Sequence, residues 1–211
     1  KLRGQSAPLA AIHAVTAAAE LPFDDGIEYE RQLFEQCLHG SQARALIHVF
    51  FGEREVAKLP FLSKDLQPLP VQCAGVVGAG TMGRGIAMTF ANAGLTVLLT
   101  DRSESEIAHA MDAIAKLYAR SVKSGRFTQA EADTRLSRIR PVIGFADFDT
   151  ADVIVEAVYE NLRVKQTVFA EIDRVARPGC VLATNTSTLN IDLIAQATER
   201  PEWVIGMHFF S

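Results

Sequence analysis

The chain has 211 residues, 48% of them hydrophobic and 22% charged, with a formal net charge of −4. That balance belongs to a globular protein rather than a disordered one, with length for one ordinary domain plus a piece of another. The acidic balance, without any Lys/Arg cluster, excludes a nucleic-acid footprint, and apolar runs of strand length leave no membrane span.

Residues 1 to about 70 read as helical. Pro8 sits in the first turn of an Ala-rich segment reaching Glu20, where proline is tolerated and alanine favours helix. Pro22 and an Asp24-Asp25-Gly26 turn are expected to end it. A second helix carries Ile27, Leu33, Phe34, Cys37 and Leu38 on one side and stops at Gly40. Ser41 caps a third, with Ala45, Leu46, Val49 and Phe50, expected to end near Gly52. Three short amphipathic helices without a sheet make a poor independent core, so they read as the tail of a larger domain. His13, His39 and His48 lack ligand-like spacing and read as structural. Residues 60–70, with Pro60, Lys64, Asp65, Pro68 and Pro70, read as a linker.

From Val71 strands alternate with helices, the signature of a parallel sheet. Cys73 to Val77 is a buried strand leading into Gly78-Ala79-Gly80-Thr81-Met82-Gly83, and a helix with Ile86, Ala87, Phe90 and Ala91 follows at once. In such a strand–turn–helix unit Gly78 makes the tight turn, Gly80 admits a pyrophosphate to the backbone and Gly83 lets helix and strand pack closely. The helix N-terminus adds N–H donors and partial positive charge. Leu95 to Thr100 is the next strand, with Asp101 at its end. An acid about 20 residues beyond the glycines suits the two ribose hydroxyls of an adenosine and repels a 2′-phosphate, favouring NAD over NADP. The neighbouring Arg102 works against that discrimination, and Asp101 could instead cap a helix beginning at Ser103.

A long helix from Ser103 to Lys123 is broken by Gly125, and Thr128-Gln-Ala-Glu131 is a capping box for another helix through Ile139. The pair exceeds what a crossover needs and is expected to project as a substrate-contacting arm. Strands follow at Pro141–Gly144, Asp152–Glu156, Cys180–Thr184 and Val204–Met207, with helices at Leu162–Ala176 and 189–198. The expected fold is α/β: a Rossmann-type, mostly parallel sheet with helices on both faces and a helical hairpin arm, preceded by an all-helical segment. Polar groups gather at three strand ends, Glu156–Glu160, Asn185–Thr188 and His208–Ser211. Each has an ordinary explanation as a cap, a turn or a core histidine. Together, at the carboxyl edge of a dinucleotide-binding sheet, they read as an active site in which a histidine takes an alcohol proton and a serine holds the same oxygen. Cys37, Cys73 and Cys180, odd in number and widely spaced, read as reduced thiols rather than a disulfide framework or metal site.

Four motifs carry a resemblance: Gly78-Ala-Gly-Thr-Met-Gly83, Val155-Glu-Ala-Val-Tyr-Glu-Asn161 with Lys165, Asn185-Thr-Ser-Thr188 and His208-Phe-Phe210. In this order and spacing they closely resemble the 3-hydroxyacyl-CoA dehydrogenase family, over residues 71–211. Residues 1–59, through Glu35 and Ser41-Gln-Ala-Arg44-Ala45, resemble the C-terminal helices of a crotonase-type enoyl-CoA hydratase domain. The resemblance implies a multifunctional fatty-acid oxidation enzyme acting on acyl-CoA with NAD, with a thiolase subunit as a further partner, in a bacterial cytoplasm or alternatively a peroxisome. It implies His208 as catalytic base and Ser187 as the residue holding the substrate 3-oxygen, with Asn185 shaping that pocket. Met82, Asp101, Val158, Tyr159, Glu160, Lys165, Ser187 and Ser211 would contact or line the NAD site, and Lys123 would lie near the CoA phosphates. The family usually has Asn where Ser211 stands. A carboxylate partner for His208 is expected beyond Ser211 and the hydratase glutamates before Lys1, so the chain reads as a fragment with negligible turnover by itself. Alternatives are a β-hydroxyacid dehydrogenase, which shares a glycine loop ending in Met-Gly, and a non-catalytic NAD-binding protein on the same scaffold.

Overall fold

The structure, a computed structural model, describes residues 4–56, 58–60, 62–63 and 65–210; Lys64 of the expected linker and Ser211 of the expected cofactor site lie outside them. Two compact units divide at Gln67 and Pro68. The first holds α1 (Ala7–Glu20), α2 (Phe23–His39) and α3 (Ser41–Val56). Asp24, Asp25 and Gly26 do not form the expected turn. They lie in the first turn of α2, which starts directly after Pro22, and there the two carboxylates meet the positive end of the helix dipole. Gly52 likewise does not stop α3, which continues to Val56; at an open surface a helical glycine costs only about 1 kcal/mol relative to alanine. Ala17 is the one buried apolar residue among those described in these helices, while Phe23 and Val56 are 81% and 79% exposed.

The second unit is a six-stranded sheet in the order β3-β2-β1-β4-β5-β6, built from β1 (Cys73–Val77), β2 (Thr96–Thr100), β3 (Ile139–Pro141), β4 (Val153–Glu156), β5 (Val181–Thr184) and β6 (Val204–Gly206). All five pairings are parallel. The crossovers carry α4 (Thr81–Asn92), α5 (Glu104–Lys123), α6 (Gln129–Ser137), α7 (Leu162–Val175) and α8 (Ile191–Ala195), and β3 is joined to β4 through a short 3-10 helix, Ala146–Thr150. Because both faces carry helices, the strand interiors are apolar and successive residues alternate between two cores. Val76, Leu99, Val155 and Ala183 pack on one side with Ile86, Ala110 and Ile114, and Val77, Leu98, Ile154 and Leu182 on the other with Phe148, Phe169 and Ile172.

The expected helical pair between β2 and β3 is present, and its inner faces belong to the core: Tyr118 of α5 and Ala132 of α6 are 2% exposed. The Thr128–Glu131 capping box opens α6 as expected. The strand expected at Pro141–Gly144 begins two residues earlier, at Ile139. Ile139 is buried against the core, whereas Ile143 is 60% exposed and Gly144 turns the chain away at φ +70°.

Asp152 ties β4 to β1. Its carboxylate accepts the N–H groups of Gln72 (2.6 Å) and Cys73 (2.9 Å) and pairs with Arg177. Burial opposes ionisation, but these partners prevail and hold the carboxyl below its ordinary value. A depressed folded-state pKa gives stability that is full above the unfolded value of about 3.9 and is lost as pH falls through the folded one. Asp152→Asn is therefore expected to lower unfolding stability by about 1.5–3 kcal/mol at neutral pH, as for hydrogen bonds to a charged group. Urea unfolding should find that gap closing below about pH 4.

Candidate active site

The strand register lines up one edge of the sheet. Val77 pairs with Thr100 and Glu156, Glu156 with Thr184, and Thr184 with Gly206. Gly78, Asp101, Ala157, Asn185 and Met207, the residues that follow, leave the sheet side by side at its carboxyl edge. The strand order reverses between β1 and β4, the point at which open α/β sheets hold ligands.

The glycine turn has the geometry that the sequence predicts. Gly78 has φ +99°, and a Cβ on it would stand 2.7 Å from the Ala157 carbonyl oxygen. A Cβ on Gly83 would overlap the Gly78 carbonyl oxygen, so α4 crosses β1 with no room for a side chain. Gly80, by contrast, has open space around it, as an approaching pyrophosphate requires. Met82 is half-buried in the first turn of α4. Beside the turn is a cavity of about 380 Å³ lined by Gly78, Thr100, Asp101, Ile143, Val158 and Glu171, among others. Asp101 does not cap α5, whose N-cap is Ser103. Its Oδ2 accepts the Ala79 N–H at 2.6 Å and its Oδ1 the Arg102 N–H at 2.7 Å, leaving lone pairs for further donors. The Thr100 hydroxyl on the cavity wall is buried without a hydrogen-bond partner among the described residues. Open space at Gly80, an apolar-walled cavity and an anionic acceptor in it fit the adenosine diphosphate half of NAD.

A buried ionic network stands behind the other half of the edge. Glu156, fully buried at the end of β4, accepts from the Val158 N–H (2.7 Å), Lys165 Nζ (2.7 Å) and the Thr184 hydroxyl (2.7 Å). Lys165, expected to contact or line the NAD site, is 1% exposed, its ammonium held between Glu156 and Glu160, the latter at 3.3 Å. The reason is local: Asn161 caps α7 and turns the fourth residue of that helix inward beneath the β4 end. Glu160 points its other oxygen at the Thr186 hydroxyl (2.5 Å) and the Ser187 N–H (3.0 Å). Burial works against its ionisation, but these donors and Lys165 hold its carboxyl below the ordinary range.

Ser187 and His208 come together: Ser187 Oγ lies 2.9 Å from His208 Nε2, although 21 residues separate them. With Nε2 unprotonated, the serine hydroxyl donates to it and the ring is in the form a general base requires. The His208 ring meets Phe210 edge-on with centroids 4.4 Å apart. Asn185 serves the histidine segment, its side-chain oxygen accepting the Phe209 N–H at 2.7 Å. Tyr159 is 80% exposed at the same edge. Lys123 is exposed in the last turn of α5, with no hydrogen bond or ion pair among the described residues. The sequence reading places Glu156 among the polar groups at the strand ends but gives it no role, and it misses Thr184. The available signal was a glutamate closing the apolar run Val153-Ile-Val-Glu156, where a strand buried on both faces has no use for an unpaired charge.

A parallel sheet in this order, with a glycine turn at its switch point and an acid ending β2, defines a dinucleotide-binding α/β domain of the Rossmann type. The family model for the 3-hydroxyacyl-CoA dehydrogenase NAD binding domain matches residues 73–211, and the chain belongs to that family. It is 38% identical to the peroxisomal bifunctional enzyme of Cavia porcellus across 99% of this chain and 29% of that protein. It is equally 38% identical to the fatty acid oxidation complex subunit alpha of Psychrobacter cryohalolentis, across 97% of this chain and 28% of that one. The chain thus spans less than a third of these relatives. Among solved structures, Escherichia coli 3-hydroxybutyryl-CoA dehydrogenase is 39% identical, with TM-score 0.66 over 68% of this chain and 30% of that one. FadB2 of M. tuberculosis is 40% identical, with TM-score 0.67 over 68% of this chain and 50% of that one. No helix among the described residues is long and apolar enough to cross a membrane.

Proposed function

We propose that the protein carrying this chain oxidises (3S)-hydroxyacyl-CoA to 3-oxoacyl-CoA with NAD. The Ser187–His208 pair, 2.9 Å apart at the sheet edge that bears the glycine turn, is the observation that carries this reading. His208 Nε2 takes the 3-hydroxyl proton while the Ser187 hydroxyl holds the same oxygen. When bound, NAD supplies the acceptor for the hydride leaving C3. Gly78, Gly80 and Gly83 with Asp101 hold the dinucleotide, Met82, Val158, Tyr159 and Glu160 line its site, and Asn185 shapes the substrate pocket through the histidine segment. A non-catalytic scaffold would have no need of a serine and a histidine hydrogen-bonded in the open.

Residues 1–59 are the last helices of a crotonase-type hydratase domain and 60–70 a linker, so the whole enzyme hydrates enoyl-CoA before oxidising the product. The exposed phenylalanines of α2 and α3 suit helices that pack on a larger body. Lys123 lies near the CoA phosphates, and a thiolase subunit that takes the 3-oxo product fits the same sequence of reactions. The compartment is a bacterial cytoplasm or a peroxisome, as in the two groups of relatives.

The test is NADH-dependent reduction of acetoacetyl-CoA by the full-length protein, with NADPH as the comparison. Turnover with NADH and little with NADPH is expected. Tight NAD binding without turnover on any 3-oxoacyl-CoA would sink the proposal.

A further inference from the structure

Gly85 lies two residues beyond the dinucleotide fingerprint, inside α4, where glycine is less favourable than alanine. It makes neither a turn nor a positive φ. What it leaves room for is Phe209: a Cβ on Gly85 would stand 2.7 and 3.2 Å from two carbons of that ring. The ring packs against the core formed by α4 and the sheet. On the other side, the Phe209 N–H donates to Asn185 Oδ1 at 2.7 Å, and one residue before His208 the Met207 N–H donates to the Thr184 carbonyl at 2.9 Å. His208 is exposed and has Ser187 as its one side-chain hydrogen-bond partner among the described residues, so its position is set by these neighbours.

We propose that Gly85 and Phe209 form a joint that positions His208, so that the helix whose N-terminus faces the dinucleotide also fixes the catalytic base. This rests on the dehydrogenase reading for its kinetic consequences, but the joint itself is a matter of geometry. A methyl group at Gly85 pushes the Phe209 ring off α4, carries the His208 backbone with it and lengthens the Ser187–His208 hydrogen bond. Displacing a reacting group by about 1 Å costs up to about a hundredfold in rate.

In the full-length protein Gly85→Ala is expected to lower kcat about ten- to a hundredfold. The NAD dissociation constant should stay near wild type, because Gly78, Gly80 and Gly83 are untouched. Phe209→Ala, which leaves α4 alone, should lose kcat in the same way. The double variant Gly85→Ala/Phe209→Leu, with a shorter side chain opposite the new methyl, should turn over faster than Gly85→Ala, and such non-additivity reports direct coupling. Wild-type kcat in Gly85→Ala, or a loss that Phe209→Leu does not relieve, overturns the joint. If the wild-type protein shows no dehydrogenase activity, the functional reading fails instead. The joint is then judged on a crystal structure of Gly85→Ala: an unchanged Ser187–His208 distance refutes it and a broken hydrogen bond supports it.

Discussion

Replacing His208 by glutamine is expected to lower dehydrogenase turnover about a thousandfold in the full-length protein, within the 10²–10⁴ that a positioned acid–base group contributes. Glutamine keeps a polar group able to bond Ser187 but has no nitrogen that takes up a proton near neutral pH. The comparison therefore separates proton transfer from mere occupancy of the site. His208 is exposed, and its packing is an edge-on contact with Phe210, so the variant should fold normally. NAD affinity should hold, because Asp101 and the glycine turn sit at the ends of β1 and β2 while His208 follows β6. NADH absorbance gives turnover and nucleotide fluorescence gives affinity. Unchanged turnover removes His208 from the mechanism; loss of turnover together with NAD binding reduces it to a structural residue.

The parts of this molecule that were legible in the sequence are those whose physics is local. Cys73 to Gly83 announces itself because strand, turn and helix follow one another without a gap, and the capping box at Thr128–Glu131 closes over three residues. The strand at β3 was misplaced because Val142-Ile143 has the composition of a strand. Chain direction there is decided by Gly144, and Ile143 lines the cavity beside Asp101 instead of entering the sheet. Gly26 and Gly52 misled for the opposite reason: glycine permits a break but does not impose one when neighbouring residues favour helix. At the site, Ser187 and His208 could each be named from the sequence, but their 2.9 Å separation comes from the β5–β6 register, which no short window contains. The same holds for Gly85. Its partner lies on another strand end, so the sequence offers only one more glycine in a glycine-rich stretch.

Lys165 shows how that non-local term acts on stability, and Lys165→Met is the substitution expected to cost most. Methionine nearly matches the lysine stem in length and fills the same space, so the change removes charge rather than volume. Glu156, fully buried, is left with the Val158 N–H and the Thr184 hydroxyl as neutral donors and no counter-charge. Breaking such a pair from one side costs about 3–5 kcal/mol, because the remaining charge stays out of water. Removing both charges should be milder. In Lys165→Met/Glu156→Gln the amide oxygen still accepts from Val158 and its nitrogen can donate to Thr184, so most of the loss should be recovered. Acid narrows part of the gap between wild type and the single variant. Glu160 has a depressed folded-state pKa: burial pushes it up, but the Thr186 hydroxyl, the Ser187 N–H and then Lys165 together pull it below the ordinary value. Its contribution is full above the unfolded value of about 4.3 and disappears as pH falls through the folded one. Urea unfolding of wild type, single and double variants at neutral pH and near pH 4 measures all of this. A single-variant loss below about 1 kcal/mol, the scale of a solvated surface pair, means that water reaches Glu156 and that the network is not a closed ion pair.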